Sequence, residues 1–224
     1  MNEIQLALLL LGIAIVFFVV VFSIAAVRLK KTTKGKKRKE PKIKDKGERG
    51  EYLVDKMLQN VIHYQGGYCY KQLRLVDIYN NWTEIDNVLI SPIGVFLIET
   101  KNRDGVIYGF EDDISWTQEI GKEVKTMENP LIQNERHQKF FSRVIKNTGP
   151  IKTITIFISS DLSNVHCESV FTIEEAEDYL LSLKRTLSDS KVEYINSQVT
   201  PYIDNPPFTH EEYVKMMRSG NFSK

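Results

Sequence analysis

Residues 4–27 carry no formal charge, and this run limits what the chain can become more than any other feature. At ~1.5 Å per residue a helix of that length reaches about 36 Å, enough to cross the hydrocarbon layer of a bilayer. No basic residue precedes the run, it is too long for the apolar region of a cleaved leader, and a dense cationic block follows it at once. A membrane-spanning helix over residues 1–27 is therefore expected in place of a signal peptide. The block that follows, residues 28–46, holds 11 basic and 2 acidic side chains, a net +9. Short flanking segments rich in Lys and Arg stay on the cytoplasmic side, which predicts a single-pass protein of the cell membrane with its N-terminus outside and residues 47–224 in the cytoplasm. The block is too rich in Lys to bury a core and reads as a solvated stalk in contact with anionic lipid headgroups, or as a nucleic-acid tether.

Residues 47–224 carry 19 basic and 26 acidic side chains, a net −7, so the whole-chain charge of +1 describes neither part. Two cysteines, Cys69 and Cys167, exclude a disulfide scaffold and a four-cysteine zinc site. Apolar residues at Leu53, Val54, Met57, Leu58, Val61 and Ile62 predict a helix over 47–62, ended by Gly66 and Gly67. Strands are expected at 68–73, 82–90, 95–100 and 106–110 as an antiparallel meander. Asn129 as cap and Pro130 as first residue open a helix to about 146, and 152–159 reads as a buried strand. Thr172 with Glu175, and Thr209 with Glu212, make capping boxes for a helix to about 187 and for a last helix. Residues 202–208, among Pro201, Pro206 and Pro207, read as a loop. The order predicts an α/β fold with a mixed sheet.

The informative stretch runs from Thr83 to Lys101. With Ser91 to Gly94 as the turn, facing residues have numbers summing to 185, placing Asp86 opposite Glu99 and Glu84 opposite Lys101. Facing side chains lie about 4.5–5.5 Å apart at Cβ, so two carboxylates would repel within otherwise apolar strands. A divalent cation such as Mg²⁺ relieves this, because hard cations take carboxylate oxygens and keep exchangeable waters. Lys101, on the same face as Glu99, is placed to hold a phosphate oxygen or the attacking water. The plainer reading is a surface hairpin with Glu84 and Lys101 as a cross-strand ion pair.

Glu51 heads the apolar stripe of the first helix and is a candidate third carboxylate. An acidic residue near a helix start also serves the helix itself, and Glu48 is available for that. Gln133, His137, Phe140 and Val144 share one face of the second helix, and a buried Gln must find partners. His137 reads by default as a satisfied core residue. His63, His166 and His210 have no partner at ligand spacing, and neither a zinc motif, a Gly-rich phosphate loop nor a Gly-x-Ser-x-Gly elbow is present.

Taken in order, Gly47-Glu-Arg-Gly-Glu51, Glu84-Ile-Asp86, Gly94-Val-Phe-Leu-Ile-Glu-Thr-Lys101, Trp116 and Asn129-Pro-Leu-Ile-Gln-Asn-Glu-Arg-His137 resemble the NERD (nuclease-related) domain. That family is placed in the PD-(D/E)xK restriction-endonuclease-like superfamily. The similarity covers residues 47–144 and leaves 147–224 as a C-terminal extension in which the sequence shows no chemistry. It implies a restriction-endonuclease-like core and a Mg²⁺- or Mn²⁺-dependent phosphodiesterase. Asp86 and Glu99 would be metal ligands, joined by the Thr100 carbonyl and Glu51. Lys101 would position water or stabilise the transition state, and Gln133 would support the site. Ile85 stands where the wider superfamily has Pro before the Asp, although Glu-x-Asp suits the NERD pattern.

Two functions follow as expectations. One is a membrane-anchored nuclease with DNA or RNA as substrate; the other is a non-catalytic module that binds nucleic acid or protein at the membrane. The −7 charge of the domain disfavours tight duplex binding, which usually needs a basic face, while the +9 stalk supplies long-range attraction.

Overall fold

The structure, a computed structural model, describes residue 43 and residues 45–219. The expected membrane helix over 4–27 and the stalk up to residue 42 lie outside the described residues, among which no helix is long and apolar enough to cross a membrane. Helix α1 spans Lys46–Gln65, with the Asp45 carboxylate accepting from the Glu48 amide at 2.9 Å. Asp45 and Lys46, assigned to the stalk from sequence, thus begin the domain. Gly66 at φ +80° ends the helix, donating its amide to the Ile62 carbonyl at 2.9 Å, a backbone geometry that a side chain would strain.

Seven strands form one mixed sheet: β1 Tyr68–Val76, β2 Trp82–Ser91, β3 Gly94–Phe110, β4 Ser115–Ile120, β5 Glu123–Glu128, β6 Ile151–His166 and β7 Val170–Thr172. β1, β2 and the first part of β3 are antiparallel, and β6 runs parallel to β3 along its length, with β7 beyond it. β3 was expected as two strands, 95–100 and 106–110. It is a single one that changes neighbour midway: β2 pairs with it up to Ile98, and β4 takes over from Val106. Residues 99–105 therefore lack a ladder partner on that side, and register shifts against β6 fall within the same part of the strand and just beyond it.

Helices α2 Pro130–Val144, α3 Ile173–Ser182, α4 Asp189–Asp204 and α5 His210–Arg218 complete the domain. The start of α2 is as expected, with the Asn129 side chain accepting from the Leu131 amide at 2.9 Å and Pro130 leading the helix. Both predicted capping boxes form, at Thr172 and Thr209. Two expectations fail. The helix from Thr172 stops at Ser182, and residues 202–204, read as loop, end the separate helix α4, which contains Pro201.

The sheet has an apolar layer on each face. Phe140 and Phe141 of α2 with Val192, Ile195 and Val199 of α4 cover Leu73, Leu75, Val88, Ile90, Val95 and Leu97. Val54, Met57, Leu58 and Val61 of α1 with Ala176 and Leu180 of α3 cover Leu89, Phe96, Ile98, Ile154 and Ile156. Because β3 and β6 are covered on both faces, they read as nearly continuous apolar runs. The consequence for the site is that any polar group at the end of these runs sits against a packed core.

Candidate active site

Strict alternation along a strand sends every second side chain to the same face. Along β1 and β2 it fails at one place. Tyr68 and Tyr70 of β1 pack on the same core layer as Leu73 and Leu75, and in β2 Ile85 shares that layer with Val88 and Ile90. Each strand has changed parity, and the change in β1 centres on Gln72, whose φ of +48° is a left-handed conformation rare for a residue with a side chain. The β1–β2 ladder passes over Gln72, the position across from Asp86.

On the other side of Asp86, the β2–β3 ladder holds the expected register from Ser91↔Gly94 to Asn87↔Ile98 and then stops. Beyond it the Thr100 amide donates to Asp86 Oδ2 at 2.9 Å, so a side chain replaces the next backbone pairing. Asp86 thus stands where both ladders of its strand are interrupted, and its Oδ1 has no hydrogen bond among the described residues. Glu84 and Lys101, expected to face each other, do not meet. Glu84 accepts from Arg74 Nε at 2.7 Å and pairs with His210 Nδ1 at 2.9 Å, and Lys101 turns to Glu99.

Glu99 is 4% exposed, and each of its carboxylate oxygens accepts a hydrogen bond. Lys101 Nζ donates to its Oε1 at 2.6 Å and to Gln133 Oε1 at 2.9 Å, while Gln133 Nε2 donates to Glu99 Oε2 at 2.9 Å. One amide therefore closes a ring with the acid and the lysine. His137 Nε2 lies 3.7 Å from Glu99 Oε2 and its Nδ1 sits 2.9 Å from Thr83 Oγ1, so His137 borders the site, where the sequence suggested only a core residue. α2 is clamped to β6 by buried Asn134, which donates to the Ile154 carbonyl and to Thr155 Oγ1, both at 3.1 Å. That clamp fixes Gln133 and His137 above β3.

The two acids differ electrostatically. Burial, and then the neighbouring Glu99 and Glu51 charges, push the Asp86 carboxyl well above the ordinary Asp range, only partly opposed by the Thr100 amide and the Lys101 charge. Burial acts on Glu99 in the same sense, yet His137 and Lys101 together hold its carboxyl below the ordinary range. Lys101 and His137 adjoin Glu99, whereas Asp86 feels Lys101 only as the smallest influence on it. Burial also raises Glu51, whose Oε2 accepts from Gln72 Nε2 at 3.1 Å. Asp45 does the capping, so Glu51 is free of that task and lies within electrostatic reach of Asp86.

Glu51 begins a row that the sequence did not reveal. Gln72 links it to Arg74 at 3.0 Å, Arg74 links to Glu84, and Glu84 to His210 of α5. The left-handed Gln72 makes the row possible, because it presents an amide to Glu51 and Arg74 at once. The approach of α1 is set by Gly50: a Cβ there would lie 2.9 Å from the Cβ of Asn102, which donates to the Lys46 carbonyl at 2.5 Å. Gly50→Ala is expected to destabilise the domain by about 1–3 kcal/mol through overpacking and to draw Glu51 away from Asp86. Chemical denaturation checks the first effect and divalent-cation affinity the second.

Hard carboxylate oxygens suit Mg²⁺ or Mn²⁺, and the unsatisfied Asp86 beside Glu99 fits a missing positive charge. Glu51 and the Thr100 amide stand near, but among the described residues no three His, Cys, Asp or Glu side chains converge as a complete ligand set. A cation here would rest on two carboxylates, with main-chain oxygen and water completing its shell.

The fold is a mixed α/β domain with helices on both faces of its sheet, interrupted beside Asp86, buried Glu99 and Lys101. The chain matches the model of the nuclease-related domain, NERD, over residues 46–170, more than half its length, and belongs to that family. An uncharacterized protein of Bacillus anthracis is 35% identical over 112 residues, covering 50% of this chain. The aligned part is 52% of that relative, so the similarity spans about half its length.

Proposed function

We propose that this chain is a membrane-anchored nuclease that hydrolyses phosphodiester bonds of nucleic acid with the aid of a divalent cation. One observation carries the reading: Asp86 is a strongly proton-loving carboxyl against Glu99, at the only point where both of its strand's ladders break. Natural chains tolerate such a poorly compensated carboxyl mainly at functional sites.

Asp86 and Glu99, with Glu51 and the Thr100 main chain beside them, would hold Mg²⁺ or Mn²⁺, which when bound would supply water activation and charge neutralisation at the phosphate. The chain's own residues do the rest. The Thr100 amide fixes the Asp86 rotamer. Gln133 holds Lys101 and Glu99 at a set separation, so the ammonium is presented without searching rotamers. Lys101, 19% exposed at its side chain, can donate its remaining proton to a phosphate oxygen or to the attacking water. His137 and Lys101 keep Glu99 ionised. The membrane location and the lipid contact of residues 28–46 rest on the apolar run and the +9 block.

The second reading is a non-catalytic module that binds nucleic acid or protein at the membrane, with the −7 charge of residues 47–224 weighing against tight duplex binding. Cleavage of labelled single- and double-stranded DNA and RNA by the full-length chain in detergent, with Mg²⁺, Mn²⁺ or EDTA, separates the two. Metal-dependent scission at the level of a contaminant-matched control would sink the nuclease reading.

A further inference from the structure

Sequence reasoning found no chemistry beyond residue 147, yet the last described helix ends at the acid cluster. Helix α5 buries none of its own residues. Two side-chain contacts tie it to β2. His210 Nδ1 lies 2.9 Å from Glu84 Oε1, and the Tyr213 ring meets Trp82 edge-on, with centroids 5.6 Å apart. Phe208 backs both rings, 6.1 Å from Tyr213 and 6.4 Å from Trp82. Trp82 and Glu84 lie four and two positions before Asp86 on β2. The helix is therefore pinned beside the proposed catalytic strand, 126 residues away in sequence at the His210–Glu84 contact.

Tyr213 is half-buried, and its hydroxyl has no hydrogen-bond partner among the described residues. Tyr68 and Tyr108, whose hydroxyls also lie beside carboxylates, each donate to one, at 2.6 and 2.9 Å. Packing alone would be served by phenylalanine, since the aromatic contacts of Tyr213 use its ring.

We infer that Tyr213 is a substrate-contacting residue of the site, its hydroxyl donating to a phosphate oxygen of a bound nucleic acid strand, and that α5 exists to deliver it. The inference rests on the nuclease-family reading of the site but not on catalysis. Burial, and then the Glu84, Asp86 and Glu99 carboxylates, push the Tyr213 hydroxyl up, so it stays protonated and serves as a donor. Those carboxylates would repel a phosphate strand; a fixed neutral donor among them, together with Lys101, is a way to seat one.

The test uses the full-length chain in detergent, as wild type, Tyr213→Phe and His210→Ala, with fluorescein-labelled DNA and RNA oligonucleotides. Binding is read by anisotropy with Ca²⁺, and cleavage is read with Mg²⁺. Tyr213→Phe keeps the ring stack and removes a hydroxyl without a partner, so its thermal midpoint should match wild type. Its oligonucleotide affinity should fall about tenfold, the loss typical of one hydrogen bond to a charged group. His210→Ala, which loosens α5, should weaken binding in the same direction. Equal binding by wild type and Tyr213→Phe overturns the inference even if both cleave; tighter binding or faster cleavage by either variant also overturns it, making α5 a strap that blocks the site. Binding lost in Tyr213→Phe with no cleavage by any protein leaves the inference standing and removes catalysis alone.

Discussion

Lys101→Ala is expected to lower cleavage by at least about 10²-fold, with substrate affinity changed far less. The lysine is the cation bonded to Glu99, and Glu99 Oε1 and Gln133 Oε1 both accept from it. Removing a preorganised charge aimed at the reacting phosphate typically costs that much in rate, because the lost interaction is strongest in the transition state. The substitution also leaves Glu99, 4% exposed, with only Gln133 and His137. A stability loss of about 1–3 kcal/mol should accompany it, the usual cost of stripping a buried acceptor of its partner. Circular dichroism at the assay temperature separates the two effects. Lys101→Arg is not expected to rescue the rate, since a planar guanidinium cannot occupy the space set for a compact ammonium between two fixed acceptors. Cleavage within about threefold of wild type in folded Lys101→Ala would remove the lysine from the mechanism.

The parts of this site legible in the sequence are those fixed by local rules. The Ser91 to Gly94 turn sets the hairpin register, so the proximity of Asp86 and Glu99 could be read by counting. Asn129-Pro130 sets the start of α2, so Gln133 and His137 could be placed on one face. The β4–β5 hairpin was missed because β5 is exposed except at Met127 and shows no apolar alternation. Helix α4 was missed because Pro201 lies in its last turn, where the proline rule reads a loop. The Glu84–Lys101 expectation failed for a subtler reason: regular pleating was extended past the point where Gln72 turns β1 over, and nothing in Lys71-Gln72-Leu73 announces a left-handed residue. Arg74, His210 and Tyr213 were out of reach because their roles depend on contacts between distant segments. A lone His and a lone Tyr on the short, exposed helix α5 carry no periodic signal. The unpaired stretch of β3 at 99–105 joins these cases, since it arises from β2 leaving and β4 arriving, a property of the sheet and not of the strand.

Asp86→Asn should abolish cleavage and, in the absence of divalent cations, make the protein more stable. The half-buried carboxyl lies beside Glu99 and Glu51, and the Thr100 amide and Lys101 compensate only in part. Asparagine keeps that acceptor through its oxygen, offers its amide nitrogen to a carboxylate, and removes the repelling charge. Replacing an unfavourable functional group in this way commonly stabilises a domain by about 0.5–2 kcal/mol, here a few degrees in thermal midpoint. The pH dependence has a definite sign. A carboxyl whose folded pKa lies above its unfolded value binds its proton more tightly when folded, so wild-type stability falls as pH rises from the unfolded Asp range through the folded value. Asp86→Asn should lack that fall. Saturating Mg²⁺ should reverse the order of the two proteins: a cation that binds only the folded wild type adds about 2.7 kcal/mol at a hundred times its dissociation constant, and the variant gains little. Thermal melts with EDTA and with Mg²⁺ should therefore cross, the variant higher in the first and the wild type higher in the second. Parallel curves, with the variant lower in both, would mean that Asp86 is a structural acid, and the divalent-cation site would have to be given up together with the hydrolysis assigned to it.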